Sequence, residues 1–155
     1  MPVLGVRAVE DDDPGREPAG RGAPDPGHGR HVGPEPGLVP RVTFTDPEIG
    51  SVGLTEAQAR KQGLTVHTGI TQLPSSARGW IHRAGNDGFI KLIEDAGRGV
   101  LMGATSAGPA GDEVLGALAV AVHGQVPVAD LQTMIYAYPT FHRATEDAIR
   151  DLVTG

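Results

Sequence analysis

The sequence predicts an α+β fold in which an antiparallel sheet of about three to five strands carries helices on one face. Two features of the pattern predict it. Short segments with the composition of strands are separated by brief turns that contain glycine, as between antiparallel neighbours. After Pro109 the apolar residues recur with a helical period, so helices follow the sheet along the chain and can pack on it.

Residues 1–38 differ in composition from the rest of the chain, because Pro and Gly alternate there and large apolar side chains are scarce. Such a segment buries too little surface to offset the entropy of ordering, so we expect it to be disordered. The acidic run Glu10–Asp13 lacks the spaced partners of a metal site and is interpreted as solvated. The folded domain is expected over residues 39–155.

The folded part is expected to begin with extended segments and one short helix. Apolar and Thr residues alternate over residues 42–45, and a second short extended piece follows the Asp46–Pro47 turn. Thr55 and Gln58 have the spacing of a capping box, in which each side chain bonds the other residue's backbone. A glycine stops this pattern, so Thr55–Gln62 is predicted to be a surface helix.

The middle of the chain predicts a small antiparallel sheet. Three strand candidates are Leu64–Gln72, Phe89–Glu94 and Val100–Ala107. The turns Asn86–Gly88 and Asp95–Gly97 precede the second and third, and their residue types tolerate positive φ. Between the first two strands, Pro74–Arg83 is expected to cross irregularly, with about one helical turn.

A helix is predicted after Gly108–Pro109. Asp112 and Glu113 lie in its first turn, where carboxylates favour the positive end of the helix dipole. Its apolar stripe is formed by Val114 or Leu115, Leu118 and Val122, and its small residues Gly116, Ala117, Ala119 and Ala121 would let another element approach closely. Gly124 ends this helix, and Pro127–Gln132 is predicted to form another short one.

The last segment, Thr133–Arg150, joins an aromatic run to a helix. Residues 134–138 are β-prone, and Pro139 would end any ladder because it has no N–H and restricts the preceding residue. A helix containing residues 141–152 is predicted, since Phe141, Thr145, Ala148 and Leu152 recur on one face.

These motifs resemble the C-terminal interface domain of the FAD-dependent pyridine nucleotide-disulfide oxidoreductases, the family of dihydrolipoamide dehydrogenase, mercuric reductase and glutathione reductase. The phrase F-T-D-P-E-I-G-S-V-G-L-T-E, starting at Phe44, is similar to the one that opens this domain in many members. Pro139 and Thr140 match a His-Pro-Thr segment. In the family this His and a Glu on the next helix form an acid/base pair, which reaches across a dimer interface toward the partner's redox disulfide and flavin.

The resemblance places Tyr138 at the family's His position and Arg143 at its Glu position, the two catalytic positions. It also implies that Tyr138 and Pro139 face a partner's flavin. A phenol, with a reference pKa of about 10, is a poorer proton shuttle near neutrality than an imidazole. We therefore favour interface roles for Tyr136 and Tyr138, with the ring buried and the hydroxyl bonded. The interface residues expected are Met134, Tyr136, Phe141, Thr145, Ala148 and Leu152.

Composition narrows the function classes. The net charge of −6 disfavours nucleic acid and anionic membranes as partners. The chain has no cysteine, which removes thiolate nucleophiles and Cys-ligated metals, and His67, His82 and His123 lack the short spacings of a zinc site. No metal is expected. No apolar run approaches the ~20 residues of a membrane span, so a cytoplasmic protein is expected.

The resemblance covers the interface domain alone, without the flavin domain, redox cysteines and second nucleotide domain of a complete reductase. We expect no cofactor to be bound by this chain alone, FAD and NAD(P) being implied for the parent enzyme. The first hypothesis is a dimerisation module that forms a homodimer and is not catalytic alone. Two alternatives remain open: a subunit that completes a separately encoded flavoprotein chain in trans, and a gene remnant without function.

Overall fold

The computed structural model describes residues 38–154, with only the backbone described for Val153 and Thr154. The strands are β1 (Arg41–Thr43), β2 (Glu48–Gly53), β3 (Val66–Gln72), β4 (Phe89–Asp95) and β5 (Val100–Gly108). The helices are α1 (Glu56–Lys61), α2 (Ala77–His82), α3 (Gly111–His123), α4 (Val128–Thr133) and α5 (Ala144–Thr154), with a 3-10 turn at Leu73–Ser75. The disorder predicted for residues 1–38 lies outside the described residues, except at Leu38, which packs partly buried against the core.

The strands form one five-stranded antiparallel sheet in the order β1-β2-β5-β4-β3. Helix α3 packs on β2 and β5, and α5 packs on β3 and β4. The short α1 lies on the opposite face, because Lys91, which alternates with the core residues Ile90 and Leu92, bonds to Glu56 of α1 at 2.8 Å. The predicted α+β class, with an antiparallel sheet and packed helices, is confirmed.

The main core fills the space between the sheet and the two long helices. Its largest fully buried side chains are Leu73, Ile90, Leu92, Leu101, Leu118, Ile149 and Leu152. Helix α5 sits directly on β3 at Gly69, where an added methyl group would overlap the carbonyl oxygen of Ala148. The edge of β3 is closed by the same helix, since the Ile70 N–H donates to a carboxylate oxygen of Asp151 at 2.8 Å.

The predicted β-prone run at residues 134–138 does not join the sheet. It leaves α4 as an extended segment without a ladder partner, because it passes beside α3 and α4 rather than along a strand. The Tyr136 hydroxyl donates instead to the Leu131 carbonyl at 3.1 Å.

Helix α5 begins at Ala144, three residues later than predicted. Residues 140–143 form a turn, in which the Arg143 N–H donates to Thr140 Oγ1 at 3.0 Å. That hydroxyl donates in turn to the Ala137 carbonyl at 2.7 Å. A Thr side chain that bonds nearby backbone groups competes with helix formation, so the helix starts only after it.

A matched pair of glycines tests this packing. Gly69→Ala is expected to lower the free energy of unfolding by about 1–3 kcal/mol, because the added methyl group forces α5 away from β3. Gly116→Ala is expected to raise it by about 0.5–1 kcal/mol, since Gly116 lies in α3 with open space around it. Urea unfolding followed by circular dichroism, at a concentration where the chain is monomeric, measures both. Equal changes in the free energy of unfolding for the two variants would contradict the close packing of α5 on β3 at Gly69.

Candidate functional site

Residues 138–143, which we call the aromatic loop, form the second part of the connection between α4 and α5 and contain both predicted catalytic positions. Tyr138 is 70% exposed, and its peptide bond to Pro139 is cis. The guanidinium carbon of Arg143 lies 5.6 Å from the centre of the Tyr138 ring, within cation–π range. Arg143 Nη2 is also 3.2 Å from a carboxylate oxygen of Glu146. The residues at the two catalytic positions therefore contact each other, and a carboxylate holds the cation in place.

The catalytic roles predicted for Tyr138 and Arg143 stay predictions. The aromatic loop presents a phenol ring, stacked on a cation, to the outside of the domain. Whether Tyr138 and Pro139 face a flavin stays a prediction.

The aromatic loop rests on α2. The guanidinium carbon of Arg78 lies 5.7 Å from the centre of the Phe141 ring, and the His82 ring meets that ring edge-on at 5.4 Å. Helix α2 is itself tightly held, because Gly79 lies so close to the Leu73 carbonyl that a methyl group there would overlap it. The loop is thus supported by a fixed element. Sequence reasoning expected an irregular crossing with about one helical turn here, and the structure has the 3-10 turn Leu73–Ser75 followed by the six-residue helix α2.

The interface roles of the six predicted residues stay predictions. Tyr136, Thr145, Ala148 and Leu152 are buried in the chain's own fold, and two of them, Tyr136 and Thr145, also line an apolar groove. The helical spacing of Thr145, Ala148 and Leu152 predicted the face of α5 that packs on the sheet. Phe141 is half-buried against α2, and only Met134 of the six remains exposed.

An apolar groove of about 320 Å³ opens beside α3. Its walls come from α3, α4 and residues 134–145, and include Ala117, Ala121 and Leu131. Val120 on its rim is 69% exposed, and Ile135 beside the groove residue Met134 is 95% exposed. Among the described residues, the buried Thr145 Oγ1 in this groove has no hydrogen-bond partner.

Sequence reasoning identified the buried stripe of α3 correctly, and it noticed the small residues that could admit another element. It missed Val120, which lies off the buried stripe and on the outer face of the helix. An apolar, β-branched residue on the face of a helix that should be polar is the signal that could have found it.

Two acidic side chains, Glu48 and Asp112, meet at the start of α3. Hydrogen bonding between the side chains of Glu48 on β2 and Asp112 on α3, together with burial, raises the pKa of Glu48 above its ordinary value. Two carboxyl groups in contact resist ionising together.

Neither a metal centre nor a membrane segment is evident in residues 38–154. No three His, Asp or Glu side chains in that range gather as metal ligands. None of its helices has the length and apolarity needed to cross a bilayer.

Comparison with known proteins places these features in context. The family model described as "Pyridine nucleotide-disulphide oxidoreductase, dimerisation domain" matches residues 39–149. The dihydrolipoyl dehydrogenase of Halobacterium salinarum is 36% identical over 110 residues, which are 71% of this chain and 23% of that protein. That of Bacillus subtilis is 35% identical over 111 residues, again 71% of this chain and 23% of the relative.

Solved structures show the same fold. The LpdA protein of Mycobacterium tuberculosis has a TM-score of 0.68 at 26% identity, over 75% of this chain and 25% of that one. The HOCl-induced flavoprotein disulfide reductase RclA of Escherichia coli has a TM-score of 0.68 at 22% identity, over 72% of this chain and 26% of that one. The present chain therefore spans about a quarter of the length of the relatives it matches.

The carboxyl pair predicts a pH dependence of stability. Because the folded-state pKa of Glu48 lies above its ordinary value of 4.5, the folded state binds this proton more tightly than the unfolded chain. The pair therefore costs stability at pH 7, and that cost disappears as the pH falls through the raised pKa. Glu48→Gln is expected to raise the free energy of unfolding at pH 7 and to flatten its change toward pH 4.5, as measured by urea unfolding.

Asp112→Asn is the matched variant. It keeps the side-chain oxygen that accepts the Glu113 N–H, and it should act in the same direction as Glu48→Gln. The double variant should gain little beyond either single one, because each substitution already removes the shared repulsion. If the two substitutions had fully additive effects on the free energy of unfolding, this would contradict the coupling between Glu48 and Asp112.

Proposed function

We propose that this chain acts as a self-associating module and not as an enzyme by itself. The chain belongs to the family of pyridine nucleotide-disulphide oxidoreductase dimerisation domains. The partner proposed is a second copy of the chain. The observation that carries this is the exposed apolar surface around the groove beside α3. Val120, Met134 and Ile135 point out of the fold there, and contiguous apolar surface on a folded domain marks an interaction site.

The residue types present support the proposal that the chain is not catalytic by itself. The chain has no cysteine to exchange electrons with a disulfide, and its two candidate catalytic positions hold Tyr138 and Arg143 in place of the family's His and Glu. In flavin and nicotinamide enzymes the cofactors carry the hydride chemistry. We assign FAD and NAD(P) to a parent enzyme, of which the dihydrolipoyl dehydrogenase relatives are examples. This chain corresponds to about a quarter of their length.

Sedimentation equilibrium of the full-length chain tests self-association. We expect a dimer at micromolar concentration, with added FAD remaining unbound when flavin absorbance is followed across the cell. Val120→Glu should raise the dissociation constant of the dimer at least about tenfold, because the interface would have to bury the Glu charge or give up its contacts at position 120.

The control for this experiment is Ile70→Glu. Ile70 is 46% exposed, and it lies on β3 opposite Lys91, on the sheet face away from α3. This variant should leave the dimer intact. A well-folded monomer at high micromolar concentration would contradict the proposed function.

A second candidate is completion of a flavoprotein chain in trans, and the exposure of Tyr138 favours it. The ring is presented on a supported loop, and in the family this position faces a partner's flavin site. Under this role, an FAD-containing chain stays with the tagged full-length chain through purification from its own cells. Tyr138→Ala should reduce the flavin recovered about tenfold, as expected for loss of an aromatic contact, while Ile70→Ala should not. Recovery without flavin would contradict this role.

A further inference from the structure

We propose that the apolar groove beside α3 binds a small two-ring molecule, which presents one hydroxyl or carbonyl oxygen to Thr145. This inference goes beyond the proposed self-association and does not depend on it. Three observations carry it: the size and lining of the groove, a buried hydroxyl without a partner, and the apolar nature of the side chains exposed around the groove.

The groove has the size and lining of a small-molecule site. Its volume of about 320 Å³ lies within the range of ligand pockets. An apolar cavity of about 150 Å³ holds a benzene ring, so this groove has room for a molecule of about two rings. Most of its lining is aliphatic, with Ala117, Val120, Ala121 and Leu131 among the contributing residues. Burying apolar rings against such a lining is the main driving force for binding.

The few polar side chains of the groove are neighbours. Among the lining residues, only Tyr136, His142 and Thr145 carry a side-chain nitrogen or oxygen. The centres of the Tyr136 and His142 rings are 5.2 Å apart. His142 and Thr145 belong to one turn, since the Thr145 N–H donates to the His142 carbonyl at 3.1 Å. The groove therefore has one polar region, and the rest of its wall is apolar.

The Thr145 hydroxyl is the polar group that an occupant would satisfy. Thr145 is 4% exposed, and its Oγ1 has no hydrogen-bond partner among the described residues. A buried hydroxyl left unpaired destabilises the fold, so such groups are normally bonded. A trapped water would itself need two to four polar partners, and this lining offers few. A ligand oxygen can pair with the hydroxyl as donor or as acceptor, because a hydroxyl does both.

The association surface proposed above offers no partner for this hydroxyl. The apolar side chains exposed at the groove are Val120, Met134 and Ile135, and none of them carries a nitrogen or oxygen. When two copies associate, these side chains can cover the groove without satisfying Thr145. An occupant that satisfies Thr145 therefore needs an oxygen on an apolar body small enough to enter the groove.

The probe for this site is 2-naphthol, which has two fused rings and one hydroxyl. Its matched control is 2-methylnaphthalene, in which a methyl group of similar size replaces the hydroxyl. In a fluorescence titration with the full-length chain, 2-naphthol should bind with a dissociation constant on the order of 100 μM, as expected for a ligand of this size.

Thr145→Val tests the hydrogen bond, since valine keeps the shape of threonine and removes the hydroxyl. It should weaken the binding of 2-naphthol about three- to tenfold, the loss of one hydrogen bond, and leave that of 2-methylnaphthalene unchanged. Without ligand, this variant should unfold at a higher urea concentration than the unchanged chain, because the unpaired hydroxyl is gone. Equal effects on the two probes would overturn the proposed contact with Thr145.

Ala117→Phe tests the position of the site. Ala117 is exposed and lines the groove, so a phenyl group there fills the groove without entering the core. This variant should lose the binding of both probes. Ile70→Phe, on the sheet face away from α3, should keep it. Urea unfolding shows that both variants are folded, and binding that survives Ala117→Phe would overturn the groove as the site.

The outcomes separate this inference from the proposed function. If the unchanged chain does not bind 2-naphthol up to the solubility limit of the probe, the ligand site is overturned and self-association is untouched. Sedimentation of the same sample decides self-association independently. A monomer that binds 2-naphthol, with the expected response to Thr145→Val, would support the ligand site and contradict the proposed function.

Discussion

The contact between β3 and α5 at Gly69 is the constraint on which the arrangement of this domain depends. Because Gly69 has no side chain, α5 can approach the strand closely and bury Ala148, Ile149 and Leu152. Asp151 of the same helix accepts the Ile70 N–H and so occupies one backbone donor of the edge strand β3. An open edge strand would be a template for unwanted pairing with another chain. One helix therefore completes the core and protects the sheet.

This constraint also distinguishes the two long helices by the surface that each leaves exposed. Helix α5 uses its apolar face for the sheet, and its outer face carries the ion pairs of Arg143 and Arg150 with Glu146. These charged side chains already have partners within the chain, and burying them against a second chain would carry a cost in desolvation. Helix α3 is different, because apolar residues lie on both its inner and outer faces. Leu118 and Val122 are buried by the sheet, and Val120 is left for another surface to cover.

Local signals predicted the fold well, because each depends on residues close in sequence. The capping box at the start of α1 is an example: Gln58 N–H donates to Thr55 Oγ1 at 3.3 Å, and Thr55 N–H donates to Gln58 Oε1 at 2.9 Å. Other features depend on distant parts of the chain. Periodicity showed that Thr145, Ala148 and Leu152 share a face, but it cannot show whether that face is covered by the same chain or by another one. The burial of this face depends on Gly69, far away in sequence.

The aromatic loop and the outer face of α3 are held in place by largely different contacts. The loop is held by α2 through Phe141 and by the contact of Arg143 with Glu146. None of these contacts uses the outer face of α3. Arg143, at the family's Glu position, makes its contacts with Tyr138 and Glu146 inside the chain. His142 of the aromatic loop also lines the groove beside α3, so the loop and the groove share this side chain, and a change in the loop can reach the groove through it.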